Sequence, residues 1–375
     1  MPIPDSSASS LDAGSAGDTG SPGNTGSSGN TGSAAGTATT GYRSPLLGLP
    51  GAVAADAPDQ GVAAHYGNPH AEQRALVAGT GFVDLSHRGV VRIGGKERLS
   101  WLHSLLTQHL TDLAPHTPTE ALLLDPQGRV EHALYLVDDG EATWAHVEPG
   151  AAPALAAFLN KMRFLLDVDP QDVTEDYAVV YEADPSGPIF AGALVRGPIQ
   201  LGDAAQGREL FLPRAALGEY AQTHAHPAGT WAYEALRIAA HRPRAGLETD
   251  ERAIPHELDW ISTAVHLDKG CYRGQETVAR VENLGHPPRR LVFLHLDGTP
   301  EHLPAHGDPV EYDGRAIGAV TSSARHYELG PIALALVKRT VPVDAQLTAG
   351  GVAAAQELIV APDAGGNARE RLRGR

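Results

Sequence analysis

Apolar residues recur at helical spacing in two segments of the chain. The first segment follows Gly94-Gly95 and predicts a helix over about 99–110; the second predicts a helix over about 155–166. We expect both apolar stripes to face a core. The stripes consist of Leu99, Leu102, Leu105, Leu106 and Leu110 in the first helix, and Leu155, Phe158, Leu159, Met162, Leu165 and Leu166 in the second.

Short strand-like segments lie between and after these helices. Three of them, at 120–124, 130–137 and 142–148, are separated by the turn sequences Asp125-Pro126-Gln127-Gly128 and Asp139-Gly140, which favour hairpins. Further strands are predicted at 177–183, 188–195 and 209–212. A helix is predicted at 230–240, capped by Thr230, with one face formed by Trp231, Ala235, Ile238 and Ala239. This mixture favours an α+β fold.

The pattern changes after Pro287-Pro288. Segments 290–297, 309–312, 315–321, 331–338 and 352–360 are short and strand-like, with turns such as Asp313-Gly314 and Gly350-Gly351 between them. A Pro-Pro pair ends any preceding helix, so it is a suitable boundary. We therefore expect a small C-terminal β-barrel domain over 287–360, after a main region at 45–286.

Both ends of the chain have the composition of tails. Residues 1–44 are rich in Gly, Ser, Thr and Ala and have too few apolar groups to offset the entropy of ordering, so a disordered tail is predicted. Residues 361–375 end in an arginine-rich run and predict a flexible basic tail.

Charge and hydropathy exclude several function classes. The 29 Lys and Arg residues face 45 Asp and Glu residues, a net charge of -16, which argues against direct nucleic-acid binding. No apolar run reaches the 18 or so residues of a membrane span. The start of the chain has neither the basic region nor the apolar stretch of a secretory signal. We expect a cytoplasmic monomer that binds no membrane.

The chain has one cysteine, Cys271, among 375 residues. One cysteine allows no intrachain disulfide and no Cys-based zinc or iron–sulfur site within a single chain. The alternating histidines of His224-Ala225-His226 lie in a Pro/Gly/Ala-rich loop and favour a solvated segment over a metal site. We therefore predict no bound metal.

The sequence around Cys271 is the segment most indicative of chemistry. Gly270 and Gly274 flank the thiol and permit unusual backbone conformations, and a helix is predicted from Gln275 onwards. Two cations, Lys269 and Arg273, lie on either side. Positive charge and a helix N-terminus favour a thiolate, which acts as nucleophile, redox sensor or metal ligand. The alternative is a small buried hydrophobic residue in a turn.

The segment Lys269-Gly270-Cys271-Tyr272-Arg273-Gly274-Gln275-Glu276, continuing through Val278-Ala279-Arg280, resembles the Lys-Gly-Cys-Tyr-x-Gly-Gln-Glu signature of the YgfZ-type folate-binding proteins. Other segments agree, among them Tyr233–Ala240, Ile254–Glu257 and Ile317–Ser323. The resemblance covers about 47–360. It implies the layout of the glycine-cleavage T-protein superfamily, a ring of two intertwined α+β lobes and a C-terminal β-barrel around tetrahydrofolate. It also implies a role in iron–sulfur enzyme maintenance and tRNA thiomethylation.

The resemblance also implies site residues. Tyr233 would stack on the folate, with His87 near the corresponding N-terminal position. Arg237 and Arg273 would bind carboxylates of the folate's glutamate tail. Arg237 is equally well placed to pair with Glu234, three residues earlier on its own helix. Cys271, supported by the signature residues around it, would face the pterin cavity.

The sequence departs from the T-protein pattern at two places. The aspartate pair of true aminomethyltransferases is replaced by Gln127-Gly128-Arg129-Val130-Glu131-His132, and the T-protein-like Arg-Ile-Glu appears as Arg237-Ile238-Ala239. His241 stands where related chains often have glycine. Without these carboxylates the site lacks obvious proton-handling groups.

The resemblance and the departures together favour a non-enzymatic or weakly catalytic folate-binding protein. Such a protein would support iron–sulfur cluster assembly or repair with client or assembly proteins as partners. The alternative is a folate-dependent aminomethyl- or methyltransferase acting on an unknown acceptor. Direct tRNA modification is disfavoured by the negative charge.

Overall fold

A computed structural model describes residues 41–202, 205–224, 226–299 and 301–366 of the chain. Most of the predicted N-terminal tail and most of the basic C-terminal tail lie outside these residues, so both remain predictions. Within the described ranges, no helix has the length and hydropathy needed to cross a membrane.

Seven α-helices lie in the described part of the chain. They are α1 (Pro69–Val77), α2 (Arg98–Leu105), α3 (Ala152–Met162), α4 (Leu217–Thr223), α5 (Thr230–Ala239), α6 (Trp260–Thr263) and α7 (Gln275–Leu284).

The same residues form eighteen strands. They are β1 (Val53–Ala54), β2 (Ala63–His65), β3 (Phe82–Asp84), β4 (Gly89–Gly94), β5 (Thr119–Leu124), β6 (Val130–Asp138), β7 (Ala142–Val147), β8 (Asp169–Asp172), β9 (Tyr177–Glu182), β10 (Leu194–Gln200), β11 (Gln206–Pro213), β12 (Pro227–Ala228), β13 (Arg289–Leu296), β14 (Pro309–Tyr312), β15 (Arg315–His326), β16 (Gly330–Lys338), β17 (Gln346–Ala349) and β18 (Val352–Leu358).

Two five-stranded sheets organise the region before the barrel. One has the strand order β10-β11-β9-β3-β12 and the other β5-β6-β7-β4-β8. The chain leaves the first sheet between β3 and β4 and returns to it between β8 and β9, so the two lobes are intertwined as predicted. Leucines of α2 and α3 pack on the second sheet, where they form one core with Val91, Ile93 and Leu134.

The last six strands close into a barrel of order β13-β16-β15-β14-β17-β18. The closure is direct, because β13 pairs with β16 on one side and with β18 on the other; Val292 lies opposite both Ala335 and Leu358. A separate core of Val, Leu and Ala residues fills the barrel. The predicted α+β fold with a C-terminal β-barrel is therefore confirmed.

Several local predictions were wrong at the ends of elements. Helix α3 ends at Met162, so Leu165 and Leu166 belong to no helical face and are exposed. Leu110 is buried, but it lies beyond the end of α2 at Leu105. The physical reason is that apolar spacing marks a face but does not mark where the backbone leaves helical geometry.

Two other predictions were shifted. The strand predicted at 188–195 lies at Leu194–Gln200. Helix α5 starts as predicted, but its N-cap is Gly229 without a side-chain cap, and Trp231 is exposed while Tyr233 and Leu236 are buried. The hairpin turns at Asp125–Gly128, Asp139-Gly140 and Asp313-Gly314 join adjacent strands as predicted.

Candidate functional site

The segment 269–274, which we call the cysteine loop, leads directly into α7. The thiol of Cys271 is free and exposed, so the alternative of a buried hydrophobic residue is not what the structure shows. Gly274 is the N-cap of α7 with φ of +82°, a left-handed conformation that favours glycine. Gly270 does not have a positive φ, and a Cβ there would meet nothing within 4 Å.

The cysteine loop packs tightly against the turn between β5 and β6. A Cβ on Gly274 would lie 2.6 Å from the carbonyl oxygen of Asp125 and 2.9 Å from the Cα of Gly128. In return, a Cβ on Gly128 would lie 2.7 Å from the Cβ of Thr277. The two glycines therefore allow a backbone contact between the loop and the hairpin.

Lys269 anchors the loop on its other side. Its ammonium donates to the backbone carbonyls of His103, Leu106 and Gln108, the last two at 2.5 and 3.0 Å, and the residue is 7% exposed. These carbonyls lie at and beyond the C-terminal end of α2, where a cation is favourable. Burial lowers the pKa of Lys269 to about 8. The lysine thus holds the loop to α2.

Arg273 is paired with a carboxylate of β6. Its Nη1 lies 2.5 Å from Oε2 of Glu131 and its Nη2 lies 3.3 Å from Oε1, a two-point contact. Its guanidinium also lies 5.1 Å from the centre of the Phe158 ring. Lys269 and Arg273, the two cations that flank the thiol in sequence, are thus each engaged by other groups.

The remaining signature residues complete the packing. Tyr272 is buried in the core that joins the hairpin to the barrel, together with Trp260 and Phe293, and burial raises its pKa to about 12. Gln275 donates to the carbonyl oxygen of Lys269 at 3.4 Å, and Glu276 is exposed on α7. The cysteine loop thus contacts α2, the β5–β6 hairpin and the barrel side of the core.

A narrow cleft lies between the two sheets and α5, with a free volume of about 30 Å³. It is rich in arginine and tyrosine. Its lining is Arg88, Tyr135, Arg196, Ile199, Gln200, Leu201, Glu209, Tyr233, Arg237, Arg242, Pro243 and Arg244. Tyr233 and Arg237 thus line the same cleft, and their roles toward a folate remain predictions.

The polar groups of the narrow cleft form a buried chain beneath Tyr135. The Tyr135 ring stacks on His146 with 4.7 Å between ring centres and 16° between planes. Nε2 of His146 lies 2.8 Å from Oε2 of Glu209, which Nη1 of Arg196 contacts at 2.6 Å. Burial lowers the pKa of His146. Burial also opposes ionisation of Glu209, but His146 and Arg196 outweigh it and lower the pKa of that carboxyl.

Arg237 is fully occupied within the protein. Its Nε and Nη2 contact Oε2 of Glu234 at 2.9 and 2.8 Å, and its Nη1 contacts Glu248 at 3.1 Å. Ser322 of the barrel and the carbonyl of Arg242 accept its remaining donors at 2.8 and 2.6 Å. Pairing with Glu234, the alternative raised from the sequence, is what the structure shows, and Arg237 links α5 to the barrel.

His87 lies behind the cleft rather than in its wall. Its Nε2 contacts Oδ1 of Asp59 at 2.9 Å, and the same carboxylate accepts from Arg244 at 2.7 Å. The aromatic ring that lines the narrow cleft from the second sheet is that of Tyr135 on β6. The sequence placed Tyr135 on a strand but gave no indication that it, Arg88 and Arg196 meet.

A wider cleft adjoins the narrow one and has a volume of about 330 Å³. The two share Arg242 and Pro243. The wider lining mixes apolar and ionisable groups: Glu120, Ala240, His241, Arg242, Pro243, Asp259, Trp260, Thr263, Leu358 and Ile359. His241 has a φ of +59°, in the left-handed region that favours glycine.

Neither cleft is lined by Cys271. Gly274 and Lys269 fix the loop on the hairpin and on α2, so the thiol faces neither of these two clefts, and its place beside a pterin remains a prediction. Of the alternating histidines, His224 has its Nε2 2.9 Å from Oε1 of Glu182. Across the described ranges, no group of three potential metal ligands is assembled.

Known proteins resemble this chain in both sequence and fold. Residues 289–361 match the family model of the glycine cleavage T-protein C-terminal barrel domain. An aminomethyltransferase from Rippkaea orientalis is 28% identical over 312 residues, covering 72% of this chain and 81% of the relative. An iron–sulfur cluster assembly factor IBA57 homolog from Mycosarcoma maydis is 26% identical and covers 59% of each chain.

The crystal structure of glycine cleavage system aminomethyltransferase T from Bartonella henselae has the same fold. It superposes with a TM-score of 0.71 at 18% identity, covering 82% of this chain and 93% of that one. The intertwined lobes and the closed barrel are therefore those of the aminomethyltransferase T fold, and the sequence matches to the barrel domain and to the aminomethyltransferases agree with that fold.

Proposed function

We propose that this protein is a YgfZ-type member of the superfamily that binds tetrahydrofolate, or a derivative of it, and supports iron–sulfur cluster assembly or repair in client enzymes. The observation that carries the proposal is the cysteine loop: its thiol is exposed while the residues around it are fixed on three sides. A fixed, exposed thiol suits a transient contact with a partner protein.

The two adjoining clefts are the proposed folate site. The wider cleft, at about 330 Å³, is within the size range of small-molecule sites and has Trp260 and Ile359 in its wall. The narrow cleft adds the rings of Tyr135 and Tyr233 and a cluster of guanidinium groups. Aromatic faces and cations are the groups that a flat pterin and a glutamate tail require. The residues present therefore fit the ligand.

The chemistry of a bound folate would be that of a reduced pterin able to carry a one-carbon unit. The chain's own groups would hold it: Tyr135 and Tyr233 would pack against its p-aminobenzoylglutamate part, and Arg196 and Arg242 would orient polar atoms from the cleft wall. We propose no proton transfer by the hairpin carboxylate Glu131, at the stretch that the resemblance aligns with the aspartate pair, because Arg273 engages it. Ala239 replaces the acid that follows Arg237-Ile238.

Cys271 is the proposed working residue toward clients. Three roles fit an exposed single thiol: a mixed disulfide with a partner, a one-carbon adduct, or one ligand of a cluster shared with a second protein. A single thiolate per chain does not supply the several ligands that stable cluster storage needs. The IBA57 homolog among the relatives supports the iron–sulfur direction of the proposal.

A folate-dependent aminomethyl- or methyltransferase is the second candidate, and the aminomethyltransferases among the relatives favour it. It predicts that purified protein transfers one carbon unit, or releases formaldehyde, from methylene-tetrahydrofolate. Folate binding without turnover would support the first proposal over this one.

Complementation of a deletion strain tests the proposed function. We expect the wild-type gene to restore aconitase-type and methylthiotransferase activities and the Cys271→Ser gene to fail at equal protein level. Arg252→Gln, a change at an exposed surface arginine, is the matched control and should restore both activities. Full rescue by Cys271→Ser would remove the thiol from the mechanism.

A further inference from the structure

Arg88 differs from the four other arginines that line the narrow cleft. Each of the others has a carboxylate partner within 4 Å; they are Arg196, Arg237, Arg242 and Arg244. Arg88 is 4% exposed, and no carboxylate of the described residues lies within that distance of it. Glu148 and Glu209 act on its charge from a longer distance, but neither accepts a hydrogen bond from it within the described residues.

One edge of the Arg88 guanidinium has no hydrogen-bond partner in the described part of the chain. Nη1 contacts Nδ1 of His146 at a long 3.4 Å, whereas Nε is buried without any partner and Nη2 makes no hydrogen bond. Nε and Nη2 form the edge that binds a carboxylate at two points. Unsatisfied buried donors of this kind are rare in native proteins and point to a missing partner.

The surroundings hold this edge in the cleft. The guanidinium lies 5.7 Å from the centre of the Tyr233 ring and 6.0 Å from that of Tyr135. Such cation–π contacts stabilise the positive charge partly, but they do not satisfy N–H donors. Tyr181, which packs against Tyr233, also has a buried hydroxyl without a partner.

We propose that Arg88 binds a carboxylate of the ligand through its Nε and Nη2 donors. The free volume there is about 30 Å³, far below the 330 Å³ of the wider cleft, so it suits a group as small as a carboxylate and not a pterin ring. This inference rests on the proposed function: the carboxylate belongs to the glutamate part of the folate, and the ring lies in the wider cleft.

The test is calorimetric titration of the full chain with three probes. The probes are tetrahydrofolate, 6-methyltetrahydropterin (the ring without a carboxylate) and p-aminobenzoylglutamate (carboxylates without the pterin). We expect Arg88→Met to weaken tetrahydrofolate and p-aminobenzoylglutamate by tenfold or more and to leave 6-methyltetrahydropterin unchanged.

Two further variants keep the test interpretable. Arg88→Lys retains the charge but not the two-point contact, so we expect a smaller loss for the same two probes, and it serves if Arg88→Met does not fold. Arg252→Met removes an exposed arginine and should change no affinity.

The outcomes separate the two claims. Equal weakening of all three probes, or no weakening of tetrahydrofolate, overturns the role of Arg88 and leaves folate binding intact. Arg88-dependent binding of p-aminobenzoylglutamate with no binding of either pterin overturns the folate assignment and keeps the carboxylate site. No binding of any probe by the wild type overturns both.

Discussion

Gly274 of the cysteine loop and Gly128 of the β5–β6 turn face each other with no side chain between them. A Cβ on Gly274 would lie 2.9 Å from the Cα of Gly128. The thiol-bearing loop is therefore fixed on the β5–β6 hairpin by a direct contact of the two backbones.

This contact predicts a large difference between two glycines of the same loop. We expect Gly274→Ala to lower the free energy of unfolding by about 2 kcal/mol or more, because the change combines a positive φ with a backbone clash. Gly270→Ala is the matched control, and its effect should stay within about 0.5 kcal/mol since its Cβ meets nothing. Urea denaturation measures both. Equal effects would contradict the packing described here.

Lys269 predicts a dependence of stability on pH. Its pKa is about 8 in the folded protein, below the 10.5 of an unperturbed lysine, so folding releases its proton between these two pH values. Stability from this group therefore rises as pH rises from about 8 to 10.5. Lys269→Met leaves three carbonyls without their donor and lacks this gain in stability with pH. The difference in unfolding free energy between wild type and variant should therefore widen from about pH 8 to pH 10.5. A constant difference would refute the assignment.

Cys271 should react as an exposed thiol. We expect one thiol per chain to react with Ellman's reagent in native buffer, without denaturant, because the residue is exposed and bonded to no other cysteine. Cys271→Ser should leave the melting temperature within a degree or two. Reaction only after unfolding would show that the thiol is sealed in the native protein.

Tyr135 is the aromatic residue that the sequence did not single out. We expect Tyr135→Leu to weaken tetrahydrofolate binding by about 1 kcal/mol, since a ring that stacks on His146 and faces the cleft is lost. The control is Tyr312→Leu, a tyrosine of the barrel that lines neither cleft. Equal affinities for wild type and Tyr135→Leu would exclude stacking on this ring.

The sequence predicted the elements whose signals are local. The hairpin turn at Asp125–Gly128 and the start of α7 after Gly274 were predicted from turn residues, and the cysteine loop from its glycines. The end of α3 at Met162 was not predicted, because the apolar spacing continued to Leu166 while the backbone left the helix. Turn residues and glycines are signals within a few positions of the element that they predict. The contacts that end a helix or pair a side chain across the fold depend on residues distant in sequence.

The partners of the site residues illustrate this limit. Lys269 lies more than 160 residues from the carbonyls that it binds, and Arg88 meets Tyr135 and Tyr233 only after two sheets and a helix have packed. Because Lys269 and Arg273 flank Cys271 in the sequence, we predicted two cations beside the thiol. In the folded chain Lys269 binds backbone carbonyls and Arg273 binds Glu131. The pairing of Arg237 with Glu234 was foreseen because the two are three residues apart on one helix.

The proposal that the two clefts bind folate is tested by titrating the full chain with tetrahydrofolate and following both the heat of binding and tryptophan fluorescence. We predict one-to-one binding accompanied by quenching. We further predict that Trp260→Phe keeps the calorimetric binding but loses much of the quenching, because Trp260 lines the wider cleft. Absence of binding by the wild type, or quenching that is the same in Trp260→Phe, would contradict a folate site between the lobes and the barrel.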